Sequence, residues 1–222
     1  MDASETKTRL QALLTAAGLP PLDEATADQF VVYFSLFLRW NERLNLSAIR
    51  DEEGILSCHL IESIVVAGDL PKGIRTLLDF GSGAGLPGIP VALCRPDIAV
   101  TLAESQNKKA AFLQEAVRVL GIRAEVHAGR AEVLRTVFDC VVLRAVDRMP
   151  KAVAAAVPLV APAGWLALMT TSNGLEGLQR AAGTEFSWTA QTPLSAGTDR
   201  IVAFGSRRSS QRPFTEFESI PR

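Results

Sequence analysis

Residues 77–90 read Leu-Leu-Asp-Phe-Gly-Ser-Gly-Ala-Gly-Leu-Pro-Gly-Ile-Pro. The apolar run Thr76–Phe80 predicts a short buried strand, and the glycines after it let the backbone approach a ligand closely. Gly83-Ala-Gly-Leu-Pro-Gly88 satisfies the GxGxxG pattern of dinucleotide folds, where a pyrophosphate rests on a helix N-terminus. Its position fits that pattern badly. The strand ends at Phe80, so the turn starts with Gly81-Ser-Gly83, and a motif begun at Gly81 needs glycine where Leu86 stands.

Asp79 bears on the sign of the ligand. A carboxylate at the strand end opposes a pyrophosphate in the same small space and suits an ammonium or a sulfonium, both of which S-adenosylmethionine carries. The alternative role for Asp79 is to cap loop amides. Glu104 ends the next predicted strand, 19 residues past Gly85. An acid there can accept hydrogen bonds from ribose hydroxyls, which indicates a nucleoside without separating a nicotinamide dinucleotide from the methyl donor.

Around this loop the chain changes rhythm. Upstream it is helical: Leu10, Leu13, Leu14 and Ala17 share a face, Thr26 and Gln29 form a capping-box pattern before Phe30–Trp40, and Asp51 is placed to cap a helix reaching Ala67, with Gly68 ending it. Downstream, strands are predicted at Thr76–Phe80, Ile98–Ala103, Ala124–His127, Phe138–Leu143, Trp165–Thr170, Phe186–Ala190 and Ile201–Phe204. Helices fall at Leu86–Leu93 and Asn107–Leu120. The alternation predicts an α/β fold with a mostly parallel seven-stranded sheet, helices on both faces, and an antiparallel hairpin at the end. Residues 1–70 read as a helical extension, 71–206 as the core and 207–222 as a mobile tail.

The bulk numbers fit one soluble domain plus an extension: 222 residues, 48% hydrophobic, net charge −1. A strong basic excess, common in nucleic-acid binders, is absent, so such a role needs a local patch of Lys and Arg. Cys58, Cys94 and Cys140 sit singly in apolar stretches and read as free thiols. His59 and His127 are far apart, which leaves no His/Cys metal cluster in view. Met1–Ala17 has no signal-peptide core. The uncharged run Ala152–Met169 contains prolines and a glycine, and reads as helix, turn and strand rather than a membrane span. The expectation is a cytoplasmic protein.

Asp79-Phe-Gly-Ser-Gly-Ala-Gly-Leu-Pro-Gly-Ile-Pro90 resembles the donor loop of the RsmG family, also called GidB. Further stretches follow in the family's order: Arg39-Trp-Asn-Glu-Arg-Leu-Asn-Leu46, His59-Leu-Ile-Glu-Ser63, Glu104-Ser with Lys108-Lys109 and Phe112-Leu113, Arg130-Ala-Glu132, Arg144-Ala145 and Asp199-Arg200. The resemblance covers roughly Trp40 to Phe204. It implies a Rossmann-like class I S-adenosylmethionine-dependent methyltransferase that modifies guanine N7 in the decoding region of 16S rRNA, with rRNA or the small ribosomal subunit as partner, no metal, no membrane and a monomeric chain. Under it, Asp79, Gly81, Gly83, Gly85, Leu86, Glu104, Ala131, Glu132 and Arg144 are expected at the cofactor, with Ala131 and Glu132 beside the adenine. Lys108, Lys109, Arg130 and Arg200 are expected to face RNA. Two positions depart from the family: Glu62 replaces a common Asp, and Thr170 stands where a Lys is common.

Guanine N7 offers a lone pair and no proton, so its attack on a sulfonium needs no general base. Alignment of the two reacting groups carries the catalysis. Arg144, at the end of the fourth strand, is the best candidate for gripping guanine or a phosphate, with a structural ion pair as its alternative. His59, Glu62 and Ser63 share a helical face, either as a satisfied polar cluster or as a wall of the guanosine pocket. The competing functions are a small-molecule methyltransferase, an NAD(P)-dependent oxidoreductase and an RNA-binding module with a relic loop.

Overall fold

The computed structural model describes residues 1–208 except 190 and 196. Three helical segments come first: α1 (Ala3–Ala16), α2 (Glu24–Leu44) and a long helix made of α3 (Glu52–Ile55), a π turn at Leu56–Ile61, and α4 (Glu62–Asp69). Then strands and helices alternate: β1 (Thr76–Phe80), α5 (Gly88–Cys94), β2 (Ala99–Glu104), α6 (Asn107–Leu120), β3 (Ala124–Ala128), β4 (Phe138–Arg144), α7 (Met149–Ala156), β5 (Val160–Thr171) and α8 (Ser172–Ala182). The short strands β6 (Phe186–Trp188) and β7 (Thr192–Pro193) precede the long β8 (Arg200–Arg207).

The sheet order is β3-β2-β1-β4-β5-β8-β6, with β7 also on β8. The first five strands run parallel and β8 is antiparallel to β5. Because β6 and β7 both line the outer side of β8, the sheet is seven strands wide, as the sequence predicts. Alternation along each strand splits the core in two. Leu77, Leu102, Cys140 and Val142 face α2, α5 and α6, in one cluster with Leu10, Phe30 and Phe34 of the N-terminal helices. Leu78, Ala103, Val141 and Leu143 face α7 and α8. Central strands buried on both faces are why their sequences read as unbroken apolar runs.

Three expectations need correction. The cap of α2 is Asp23, not Thr26: its carboxylate accepts from the Thr26 amide at 2.9 Å and the Thr26 hydroxyl at 2.7 Å. Gln29 is drawn away from the cap and donates to the Leu120 carbonyl at the end of α6. Strand β5 begins at Val160, ahead of the expected Trp165, because Pro162, Ala163 (φ 60°) and Gly164 form an irregularity within the strand rather than a turn before it. Arg207 belongs to β8 and binds Glu185 and the Val157 and Val160 carbonyls. Arg208 is held as well, its amide donating to the Glu185 carbonyl at 2.8 Å. Residues 209–222 of the expected tail lie outside the described residues, as does Ala190 of the expected strand Phe186–Ala190. No helix is long and apolar enough to cross a membrane among the described residues.

Candidate active site

The carboxyl ends of β1, β2 and β4 open onto a cleft, where ligands bind in open α/β sheets. Two adjoining cavities form it. The larger, about 530 Å³, lies between the glycine loop (Gly81, Ser82, Gly83, Ala84 and Leu86) and the segment Leu46–Ile49, with Glu104, Lys109, His59 and Arg144 also on its walls. The smaller, about 380 Å³, is bounded by Arg130, Ala131, Glu132 and Lys151. Gly81, Ser105, Val146 and Asp147 border both. Both volumes are within the usual range for small-molecule sites.

The glycine loop is organised by two buried acids. Gly81, Gly83 and Gly85 have φ of 72°, 58° and 83°, a region that favours glycine. A Cβ on Gly85 would overlap Ile89, and one on Gly88 would overlap Leu102, so the loop packs too closely for side chains at either place. Asp79 is 1% exposed. Its Oδ2 accepts from the Ser82 hydroxyl at 2.7 Å and the Gly88 amide at 3.0 Å. Burial pushes its pKa up to about 6 against those hydrogen bonds. Glu104 accepts the Gly83 amide at 2.9 Å and the Gln106 amide at 2.7 Å. Amides that would cradle a phosphate are therefore already bonded to carboxylates.

A second polar centre joins the N-terminal helices to the end of β4. The Arg144 side chain is only 8% exposed. It donates to the Cys58 carbonyl (2.7 Å), His59 Nδ1 (2.8 Å), Glu62 Oε2 (3.1 Å), Ser63 Oγ (3.3 Å) and the His59 carbonyl (3.5 Å). The Cys58 and His59 carbonyls belong to the π turn, and the His59 carbonyl also accepts from the Ser63 hydroxyl at 2.6 Å. Glu62 is fully buried and also meets Arg200 at 2.8 Å. Burial pushes the Glu62 carboxyl up, opposed by the two guanidinium charges. His59 is held neutral: burial, then the Arg144 charge, lower its pKa to about 4.

The expected residues separate into groups. Gly81, Gly83, Leu86, Glu104, Ala131, Glu132 and Arg144 stand on the cleft walls. Asp79 and Gly85 do not; they lie behind the loop and shape it. One Asp79 oxygen, Oδ2, is committed to Ser82 and Gly88, which is the capping role the sequence offered as the alternative. Arg144 is a brace, its donors committed to the 58–63 segment, rather than a free arm. Lys109 and Arg130 reach the cleft, though Arg130 pairs with Glu132 at 2.9 Å. Lys108 is exposed on α6 outside these walls. Arg200 and Thr170 line a neighbouring apolar cavity with Met149, Met169 and Leu194, which shares Arg144 and Ala145 with the main cleft. Ala145 and Arg148 have φ of 48° and 51°, so the turn after β4 is strained where the two cavities meet. Burial pushes the Cys94 and Cys140 thiols up to about 12, which leaves both as inert thiols.

Sequence reasoning missed Ser47, Ala48 and Ile49 as one wall of the cleft. The signal was adjacent: the matched stretch Arg39–Leu46 stops one residue short of it.

Among solved structures, the chain is similar to an O-methyltransferase from Bacillus cereus in complex with SAH (18% identity, TM-score 0.58, covering 93% of this chain and 100% of that one). It is also similar to TrmN from Thermus thermophilus (19%, TM-score 0.53, 68% and 53%). These likenesses establish the class I methyltransferase fold. In sequence, it is 41% identical over 167 residues to ribosomal RNA small subunit methyltransferase G of Neisseria meningitidis serogroup B, covering 74% of this chain and 80% of that protein. The protein of the same name from Xanthomonas oryzae pv. oryzae is 39% identical over 171 residues, 76% and 78% of the two chains. Residues 26–194 match the family described as rRNA small subunit methyltransferase G, and with three quarters of its length so matched the chain belongs to the GidB family.

Proposed function

We propose that the chain transfers a methyl group from S-adenosylmethionine to N7 of a guanosine in the decoding region of 16S rRNA, as a cytoplasmic monomer acting on the RNA or the small ribosomal subunit. The observation that carries the choice of cofactor is the state of the loop amides. Gly83 and Gly88 donate to Glu104 and Asp79, so neither amide is free to cradle a diphosphate, and Glu104 on the cleft wall would repel one. A cationic sulfonium suffers no such conflict.

S-adenosylmethionine brings an electrophilic methyl group and needs only an aligned nucleophile. The chain's residues divide the remaining work. Ala131 and Glu132 would border the adenine, Glu104 the ribose hydroxyls, and Gly81, Gly83 and Leu86 the rest of the donor. Arg144 acts as a positioning residue: it fixes the 58–63 segment against β4 and thereby the cleft wall. Neutral His59, whose Nδ1 faces a guanidinium, is not a free base. That suits N7 chemistry, in which no proton leaves with the attack. Lys109, Arg130 and Arg200 supply cationic charge around the cleft for a polyanion.

Incubation with labelled S-adenosylmethionine and three substrates tests the reading: naked small-subunit RNA, assembled subunits and a metabolite extract. Label in RNA released as 7-methylguanine is the expected result. Label confined to a small molecule would overturn the choice of substrate.

A further inference from the structure

The hydrogen-bond roles around His59 can be fixed one proton at a time. Arg144 Nη2 lies 2.8 Å from His59 Nδ1, and a guanidinium only donates. A guanidinium N–H at 2.8 Å excludes a proton on Nδ1, so the 3.3 Å contact of Nδ1 with the Cys58 carbonyl carries none, and the single ring proton of this neutral imidazole sits on Nε2. Nε2 is 2.6 Å from Ser47 Oγ, so the ring donates to the hydroxyl. The Ile49 amide donates to the same oxygen at 3.0 Å. Both acceptor positions of Ser47 Oγ are filled, and its own proton has no acceptor among the described residues. The backbone at Ser47 is pinned as well, its amide donating at 2.9 Å to the side chain of Asn41, which is buried.

That oriented hydroxyl lines the larger cavity opposite the glycine loop. Ala131 and Glu132 line only the smaller cavity, and the shared residues Gly81, Ser105, Val146 and Asp147 lie between. A donor with its adenine at Ala131 and its ribose at Glu104 extends its amino-acid end along the loop toward Leu46–Ile49. That end carries the one anionic group of the molecule, near the field of Arg144. We propose that Ser47 is a cofactor-binding residue whose hydroxyl, aimed by the Arg144–His59 relay, donates to the α-carboxylate of the methyl donor. The proposal rests on the donor reading above and adds a residue and a ligand atom to it.

Calorimetric titration of the wild-type chain and Ser47→Ala with four adenosyl ligands tests it. S-adenosylmethionine and S-adenosylhomocysteine carry the carboxylate; decarboxylated S-adenosylmethionine and 5′-methylthioadenosine do not. Ser47→Ala should bind the first two about tenfold more weakly, the size of a charge-assisted hydrogen bond, and the other two within about twofold of wild type. Ser47→Thr, which keeps the hydroxyl, should restore binding of the carboxylates. Equal weakening toward all four ligands, or no weakening toward any, would overturn the proposal while leaving the donor reading intact. A wild-type chain that binds none of the four removes the donor reading and this proposal with it.

Discussion

The Tyr33 hydroxyl donates to the Ala84 carbonyl across 2.6 Å, tying α2 to the middle of the glycine loop. The tyrosine is fully buried, and desolvation drives its pKa well above the ordinary phenol value, so it remains a donor at every working pH. Tyr33→Phe leaves that carbonyl unpaired in a dry site. The expected cost is about 1–3 kcal/mol in urea denaturation. Calorimetry should also register weaker S-adenosylmethionine binding, because the loop loses its tether. Unchanged stability would mean that water replaces the phenol.

Asp79 shapes the loop from behind. Asp79→Ala strands the Ser82 hydroxyl and the Gly88 amide, and stability and donor affinity should fall together, stability by about 2 kcal/mol. Asp79→Asn keeps an acceptor for Gly88 and should recover most of both. If the asparagine variant folds normally yet loses donor affinity as the alanine variant does, the charge itself contacts the ligand.

His59 and Asp79 give opposed pH dependences. The His59 pKa falls from 6.5 to about 4 on folding, so the unfolded chain protonates first. Its contribution is complete above about pH 6.5 and is lost as pH drops toward 4. The Asp79 pKa rises from 3.8 to about 6, so stability from that group declines as pH climbs through this interval. Between about pH 4 and 6 the two slopes offset each other. His59→Gln removes one slope and leaves the other. Relative to wild type, the variant should gain stability at pH 5 compared with pH 7, measured by denaturant titration at both. A parallel pH profile for the two proteins would show that His59 is not held neutral by the fold.

Arg144→Ala should cost about 3 kcal/mol, because Glu62 stays buried with only Arg200 as its counter-charge. Methyl transfer will fall with it. The double variant Arg144→Ala/Glu62→Gln removes the stranded charge and should recover part of the lost stability. A single variant that transfers slowly at wild-type stability would instead assign Arg144 a direct contact with substrate.

Much of this was legible in the sequence. Strand β1 and helix α6 have their predicted bounds because continuous apolar runs and the terminal Gly121 leave few alternatives. Strand β5 was read short because Pro162 and Gly164 mark a turn as readily as an irregular strand, and only pairing with β4 and β8 decides between them. Glu104 was placed at the cleft by spacing alone. Which way Asp79 points was not legible, since a carboxylate at a strand end can serve the ligand or the loop, and the choice depends on where the Gly88 amide falls in space. The Ser47 wall depends on a contact with His59, twelve residues on, which no local pattern encodes.

The π turn at Leu56–Ile61 makes the N-terminal layer a phase-sensitive part. An α-helix advances by about 100° per residue. Removing one residue from this segment would regularise the helix and rotate everything after it by about that angle. Glu62 would swing off both arginines while Val66 left the interior. A shortening that local helix energetics would welcome should thus unseat the whole layer from the sheet, so the awkward turn is what keeps the two halves of the molecule in step.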